Sequence, residues 1–168
     1  MTVTVRPMRW WDIAAVLPLE RGLFSDDTWS GRVFWSELAQ QTRHYAVAAE
    51  SAECADDADD PEAGGAADAT DAESVIGYAG LAVYTDEAHV LTLGVRADRQ
   101  GTGVGGLLLR DLLDAADRRG VRRVLLEVRV GNVPAERLYA RYGFVQIGIR
   151  RRYYQPSGAD AAVMVREG

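Results

Sequence analysis

Residues 90–120 read VLTLGVRADRQGTGVGGLLLRDLLDAADRRG, and this stretch decides the architecture. At its centre Gly101–Gly106, GTGVGG, opens an amphipathic helix predicted over Gly105–Arg119. Leu108, Leu109, Leu112, Leu113 and Ala116 recur there at spacings of three and four. Gly120 stands where such helices end in a left-handed residue. Letter for letter the loop is G-x-G-x-x-G, and Glu127 lies 21 residues after Gly106, near the place of a dinucleotide fold's ribose-binding acid. The context rejects that fingerprint. Its strand should run straight into the loop, but Arg96–Gln100 intervene, and only 41 residues follow Glu127 to build the rest of such a domain. What remains is a row of backbone N–H groups feeding a helix N-terminus, which binds phosphate whatever molecule carries it. Arg99 is positioned to add a positive charge; a Gly-rich helix entry without a ligand is the alternative.

Outward from the loop, strands and helices alternate. Val75–Tyr84 and Val90–Val95 read as paired strands, and Arg123–Val130, RVLLEVRV, as a buried parallel one. Pro134 opens a short helix that Gly143 ends. Phe144–Ile149 and Ala161–Val165 read as final strands. Upstream, Thr2–Arg6 is a first strand, Arg9 to about Phe24 is helical with a kink or division at Pro18, Ser30 caps a second helix, and His44–Ala49 is a strand. The result is α/β with a mixed sheet, in one domain over 1–168. All four tryptophans fall within the first 35 residues; core packing is the default expectation for most of them, and a substrate-facing wall the alternative.

The chain has 168 residues, 19 Lys+Arg against 25 Asp+Glu, and a net charge of −6. Ten of those acids lie between Glu50 and Glu73 with no base among them, so the remainder carries 15 acids and 19 bases, or +4. The segment at about 51–73 is low-complexity and without large apolar residues, which predicts a disordered acidic insertion. The overall charge excludes a uniformly basic nucleic-acid binder. One cysteine, Cys54, allows neither a disulfide framework nor a zinc site. No leader or transmembrane run is visible, so a cytoplasmic protein without metal, membrane or direct nucleic-acid partner is expected.

Gln100–Gly105 fits the Gln/Arg-x-x-Gly-x-Gly/Ala signature of the GCN5-related N-acetyltransferase (GNAT) superfamily, between a strand and a long helix. With LEVRVGNVPAERLYARYGF at 126–144, RRRYY at 150–154 and DAAVM at 160–164, the chain resembles that superfamily's RimI group. The resemblance spans all but the acidic insertion. It implies a mostly antiparallel mixed sheet, flanked by helices and splayed between strands four and five to receive acetyl-CoA. It further implies acetyl transfer to a protein N-terminus, an alanine α-amine of a small-subunit ribosomal protein. By the same resemblance Leu93, Gly94 and Val95 offer main-chain contacts to the acetyl and pantetheine portion. Gly101, Thr102, Gly103, Val104, Gly105 and Gly106 hold the pyrophosphate, and Asn132 contacts the cofactor; a turn or helix cap is the other role open to that asparagine. Glu127 matches the general base and Tyr139 the acid that protonates the departing thiolate; an ion-paired strand glutamate and a core aromatic are the plainer roles. Tyr153, Tyr154 and Trp29-Ser30 are placed at the peptide entrance, with a solvated arginine edge as the alternative for 150–152. Two departures stand out: the long insertion, and Gly101 where a basic residue is common. An acetyltransferase for small amines or lysine, and an acyl-CoA-binding sensor without catalysis, are the competing functions.

Overall fold

The computed structural model describes residues 2–24, 28–51 and 73–168. Its helix α3, Val104–Arg118, follows the leucine spacing: Leu108, Leu109 and Leu112 are wholly buried. They pack on one face of a sheet whose strands are β1 Thr2–Pro7, β2 Arg43–Ser51, β3 Ser74–Val83, β4 Glu87–Val95, β5 Arg123–Arg129, β6 Val145–Tyr154 and β7 Ala159–Glu167. The other face carries α1, Ile13–Leu23, and α2, Gly31–Leu38, over a second core of Ile13, Val16, Phe34, Tyr45, Val47 and Tyr78. Strand β2 shows how one sequence serves both layers: Ala46 and Ala48 face α3, while Tyr45 and Val47 face α1 and α2. Helix α4, Val133–Arg141, joins the α3 side through Ala135, Leu138 and Tyr139.

The sheet order is β1-β2-β3-β4-β5-β7-β6. Only β4 and β5 pair in parallel, because α3 crosses between them; the other described neighbours are antiparallel. That parallel pairing is short, running from Glu87↔Arg123 to Val90↔Leu126. At this point β4 carries a bulge: Leu81 faces Val90 and Gly80 faces Thr92, so Leu91 is the extra residue. A bulge bends its strand, and Leu91–Val95 continue along β3 without β5 beside them. The mixed sheet splayed between strands four and five is therefore present.

Several expectations need correction. Helix α1 passes through Pro18 undivided. Ala14, whose carbonyl loses its bond there, and Pro18 are both on the exposed side, where water supplies a partner. Strand β4 starts at Glu87, and β6 runs on through RRRYY to Tyr154. The tryptophans do not mostly pack inside. Trp10, Trp11 and Trp35 are 57%, 52% and 52% exposed; on α2, Phe34 takes the inward position and turns its neighbour Trp35 outward. Trp10 stacks on Trp35 with ring centroids 5.6 Å apart, and only Trp29 joins a core. The insertion itself, 52–72, lies outside the described residues, but its acidic borders belong to the fold. Glu50 pairs with Arg99 at 3.0 Å and Glu73 with Arg6 at 2.9 Å.

Candidate active site

The site forms where β4 and β5 part. Arg96 donates its N–H to the carbonyl of Ile76 at 2.8 Å, which sets the phase of the β3–β4 ladder. By the alternation of an antiparallel pair, Thr92 and Gly94 bond to β3, whereas Leu93 and Val95 direct their N–H and C=O groups into the opening. Of the three β4 residues expected there, Gly94 thus turns its amide away, toward Tyr78.

The glycine loop follows at the end of the same strand. Gln100 donates its side-chain amide to Val95 O at 3.1 Å, and Thr102 Oγ1 donates to Arg99 O at 2.6 Å, so the start of the loop is fastened back to the end of β4 and the turn after it. Gly101 and Gly103 have φ of +77° and +95°, values that strain any residue with a Cβ. Space at both Cβ positions is open, as a cradle for an approaching ligand requires. Behind Gly103 the first amides of α3, Val104, Gly105 and Gly106, point out of the helix end. Gly106 answers a different need: a Cβ there would sit 2.8 Å from Tyr142 Oη, which donates to Gly106 O at 3.0 Å and joins α4 to α3. Arg99 does not supply the expected free charge. It is held by Glu50 at 3.0 Å and Asp98 at 3.2 Å, and Arg96 by Asp98 at 2.6 Å.

On the α1–α2 side of the parting strands lies a cleft of about 340 Å³, lined by Trp29, His89, Val90, Leu91, Glu127, Arg150, Tyr153 and Tyr154. The bases of this cleft are long-range. Glu127, opposite Val163 on β7, receives Arg150 Nη1 from β6 at 3.3 Å. Its side chain is only 16% exposed, against 56% for Arg150. Trp29 is fixed by the buried Glu20, whose Oε1 accepts the main-chain N–H of Trp29 at 2.9 Å and whose Oε2 accepts the Tyr78 hydroxyl. Burial, together with that carboxylate, drives the Tyr78 pKa far above the ordinary phenol range. Tyr153, Tyr154 and Trp29, expected at one entrance, are thus brought together with Glu127.

Residues 27–144 match the Acetyltransferase (GNAT) family. The chain belongs to the GNAT family. It is 39% identical over 170 residues to N-alpha-acetyltransferase RimI of Mycobacterium tuberculosis, covering 98% of this chain and 92% of that one. The [ribosomal protein bS18]-alanine N-acetyltransferase of Escherichia coli K12 is 39% identical over 89 residues, 52% of this chain and 60% of the relative. The crystal structure of the ribosomal-protein-S18-alanine N-acetyltransferase from Escherichia coli superposes with a TM-score of 0.76 at 27% identity, over 99% of this chain and 94% of that one.

Two further residues expected at the site, Asn132 and Tyr139, occupy more structural settings. Asn132 caps α4, its Oδ1 accepting the Ala135 N–H at 3.4 Å. Tyr139 is buried, 7% exposed, with its ring 5.8 Å from that of Phe144. Burial raises its pKa, reinforced by Tyr154, so the phenol keeps its proton at neutral pH. Sequence reasoning missed Glu20, His89 and the Glu127–Arg150 pair. Glu20 left a trace: it follows Val16 by four residues and so shares the apolar side of α1. Nothing local announces Arg150, 23 residues beyond its partner.

Proposed function

We infer that this chain transfers the acetyl group of acetyl-CoA to the N-terminal α-amine of a protein, a small-subunit ribosomal protein that begins with alanine. The observation that carries the reading is the cleft itself: one carboxylate, Glu127, between three aromatic side chains, where the strands open. The names of the RimI and bS18-alanine relatives supply the substrate class.

Acetyl-CoA contributes an activated acetyl group and a thiolate leaving group. The outward-facing N–H groups of Leu93 and Val95 hold its acyl arm and polarise the carbonyl. The loop from Gly101 and the first turn of α3 hold the pyrophosphate on unpaired amides. Trp29, Tyr153 and Tyr154 admit an extended peptide end. An α-amine attacks only when its lone pair is free, and Glu127, directly or through water, takes the proton that the nitrogen gives up on forming the C–N bond. Tyr139 gives a proton to the departing sulfur; a thiolate with a pKa of about 8.5 leaves tolerably without one, so this step is helpful rather than essential.

The test is thiol release from acetyl-CoA with short peptides beginning with Ala, Ser, Gly or Met, beside free amines and N-terminally blocked peptides containing lysine. Release with the free N-termini, Ala first, is expected. Turnover confined to small amines or lysine would refute the substrate class, and acetyl-CoA binding without turnover on any acceptor would make the protein a sensor.

A further inference from the structure

An ammonium group is recognised by two features, a carboxylate that pairs with it and aromatic faces that attract it. The cleft contains both, and the protein's own guanidinium groups already fill them. Arg150 Nη1 lies 3.3 Å from Glu127 Oε1, and the same guanidinium sits 5.6 Å from the centre of the Tyr153 ring. Arg129 sits 5.0 Å from the centre of the Tyr154 ring. The other charges are likewise matched. His89, from β4, meets Glu87 at 2.8 Å, and Glu20, behind Trp29, is spent on the Trp29 N–H and the Tyr78 hydroxyl. Tyr139, from α4, is neutral, and β7 presents Val163 opposite Glu127. Among the described lining residues Glu127 is the one carboxylate, so no negative charge is left over for a cation.

We propose that Arg150 is a specificity-determining residue that makes the cleft select its acceptor as a neutral amine rather than as an ammonium ion. This deepens the α-amine reading and rests on it. With Glu127 masked, a cationic acceptor must displace a guanidinium from both its carboxylate and its ring, whereas a neutral amine needs neither. The consequence is discrimination by basicity. At pH 7.5 roughly a quarter of an α-amine with a pKa of about 8 is neutral, against roughly a thousandth of a lysine side chain at about 10.4. Polyamines and lysine-rich peptides, abundant cations in any cell, are thereby kept off Glu127. The proton balance is simple. An acceptor that enters neutral carries two hydrogens on nitrogen, forms the C–N bond, and surrenders one proton to Glu127 as the C–S bond breaks.

The experiment needs no turnover. Two peptides are compared by calorimetry on the full chain saturated with CoA: one with a permanently charged N,N,N-trimethylated alanine terminus, the other with its neutral tert-butyl isostere. Wild type is expected to bind the cation no more tightly than the isostere. Arg150→Met, which keeps an unbranched apolar stem but removes the charge, should bind the cation about five- to tenfold more tightly relative to the isostere, with salt eroding the gain. Arg150→Lys should behave as wild type. A purely structural role for Arg150 would weaken both peptides alike and show no gain of opposite sign. The inference is overturned if wild type already prefers the cation fivefold, or if Arg150→Met gains nothing for it. Should Arg150→Met fail to fold, the wild-type preference and Arg150→Lys still decide. If wild type acetylates peptide N-termini but fails these comparisons, this inference alone falls; if it binds neither peptide and acetylates none, the α-amine reading falls first.

Discussion

Glu20→Ala tests the link between the core and the cleft. Glu20 is 2% exposed and serves as acceptor for two groups in the α1–α2 core, the Trp29 N–H and the Tyr78 hydroxyl. Removing it leaves both donors unsatisfied and opens a void beside Phe34, whose ring lies 5.5 Å from Trp29 and 6.0 Å from Tyr78. Each stranded donor costs about 1–3 kcal/mol, so a loss of about 4 kcal/mol is expected. With a urea m-value of about 2 kcal/mol/M for a domain of this size, the unfolding midpoint should fall by about 2 M. Glu20→Gln retains an acceptor for Trp29 and a donor that the Tyr78 oxygen accepts, and should recover most of the loss. The function should respond as well: a loosened Trp29 raises KM for the peptide more than it lowers kcat. A Glu20→Ala midpoint within 0.5 M of wild type, roughly 1 kcal/mol on that m-value, would refute the assignment of Glu20 as the tie between α1 and the cleft wall.

Other outcomes follow from the same geometry. Glu127→Gln should lower turnover at least about a hundredfold while leaving acetyl-CoA affinity near wild type, as stopped-assay kinetics and calorimetry would report. Gly103→Ala, at φ +95°, should cost about 1–2 kcal/mol in thermal stability and raise KM for acetyl-CoA rather than for peptide. Asp12 offers a pH test. Burial pushes its pKa up, but the Arg6 guanidinium at 2.8 Å and the Arg9 N–H at 2.7 Å more than reverse this, leaving it below the ordinary value. A depressed carboxylate stabilises above its unfolded pKa of about 3.9 and loses that contribution as pH falls through the folded value. The stability gap between wild type and Asp12→Asn should therefore be full at pH 6 and shrink below about pH 4 in urea titrations.

What the sequence announces here is local, and what it conceals is pairing. The glycines of 101–106 and the leucines of α3 disclosed the loop and helix because their spacing is itself the structure. Ser30 and Gly120 marked helix ends for the same reason: Ser30 Oγ accepts the Val33 N–H, and Gly120 takes φ +73°. Leu93 and Val95 face the opening between β4 and β5, and the parity that turns Gly94 away depends on β3 register. Arg99 looked like a phosphate ligand because its partner Glu50 stands 49 residues earlier. Trp10, Trp11 and Trp35 looked like core because apolar character carries no direction; the wholly buried Phe34 claimed the inward face of α2. Glu127 was visible as an acid in an apolar strand, whereas its guanidinium partner on β6 became visible only when the sheet was assembled.

The central claim is that the acetyl group goes to a protein α-amine. One peptide carrying both a free N-terminal alanine and an internal lysine, incubated with the protein and acetyl-CoA and then sequenced by tandem mass spectrometry, tests it most directly. A single acetyl group on the alanine nitrogen is the predicted result; acetylation of the lysine with the N-terminus left free would contradict it.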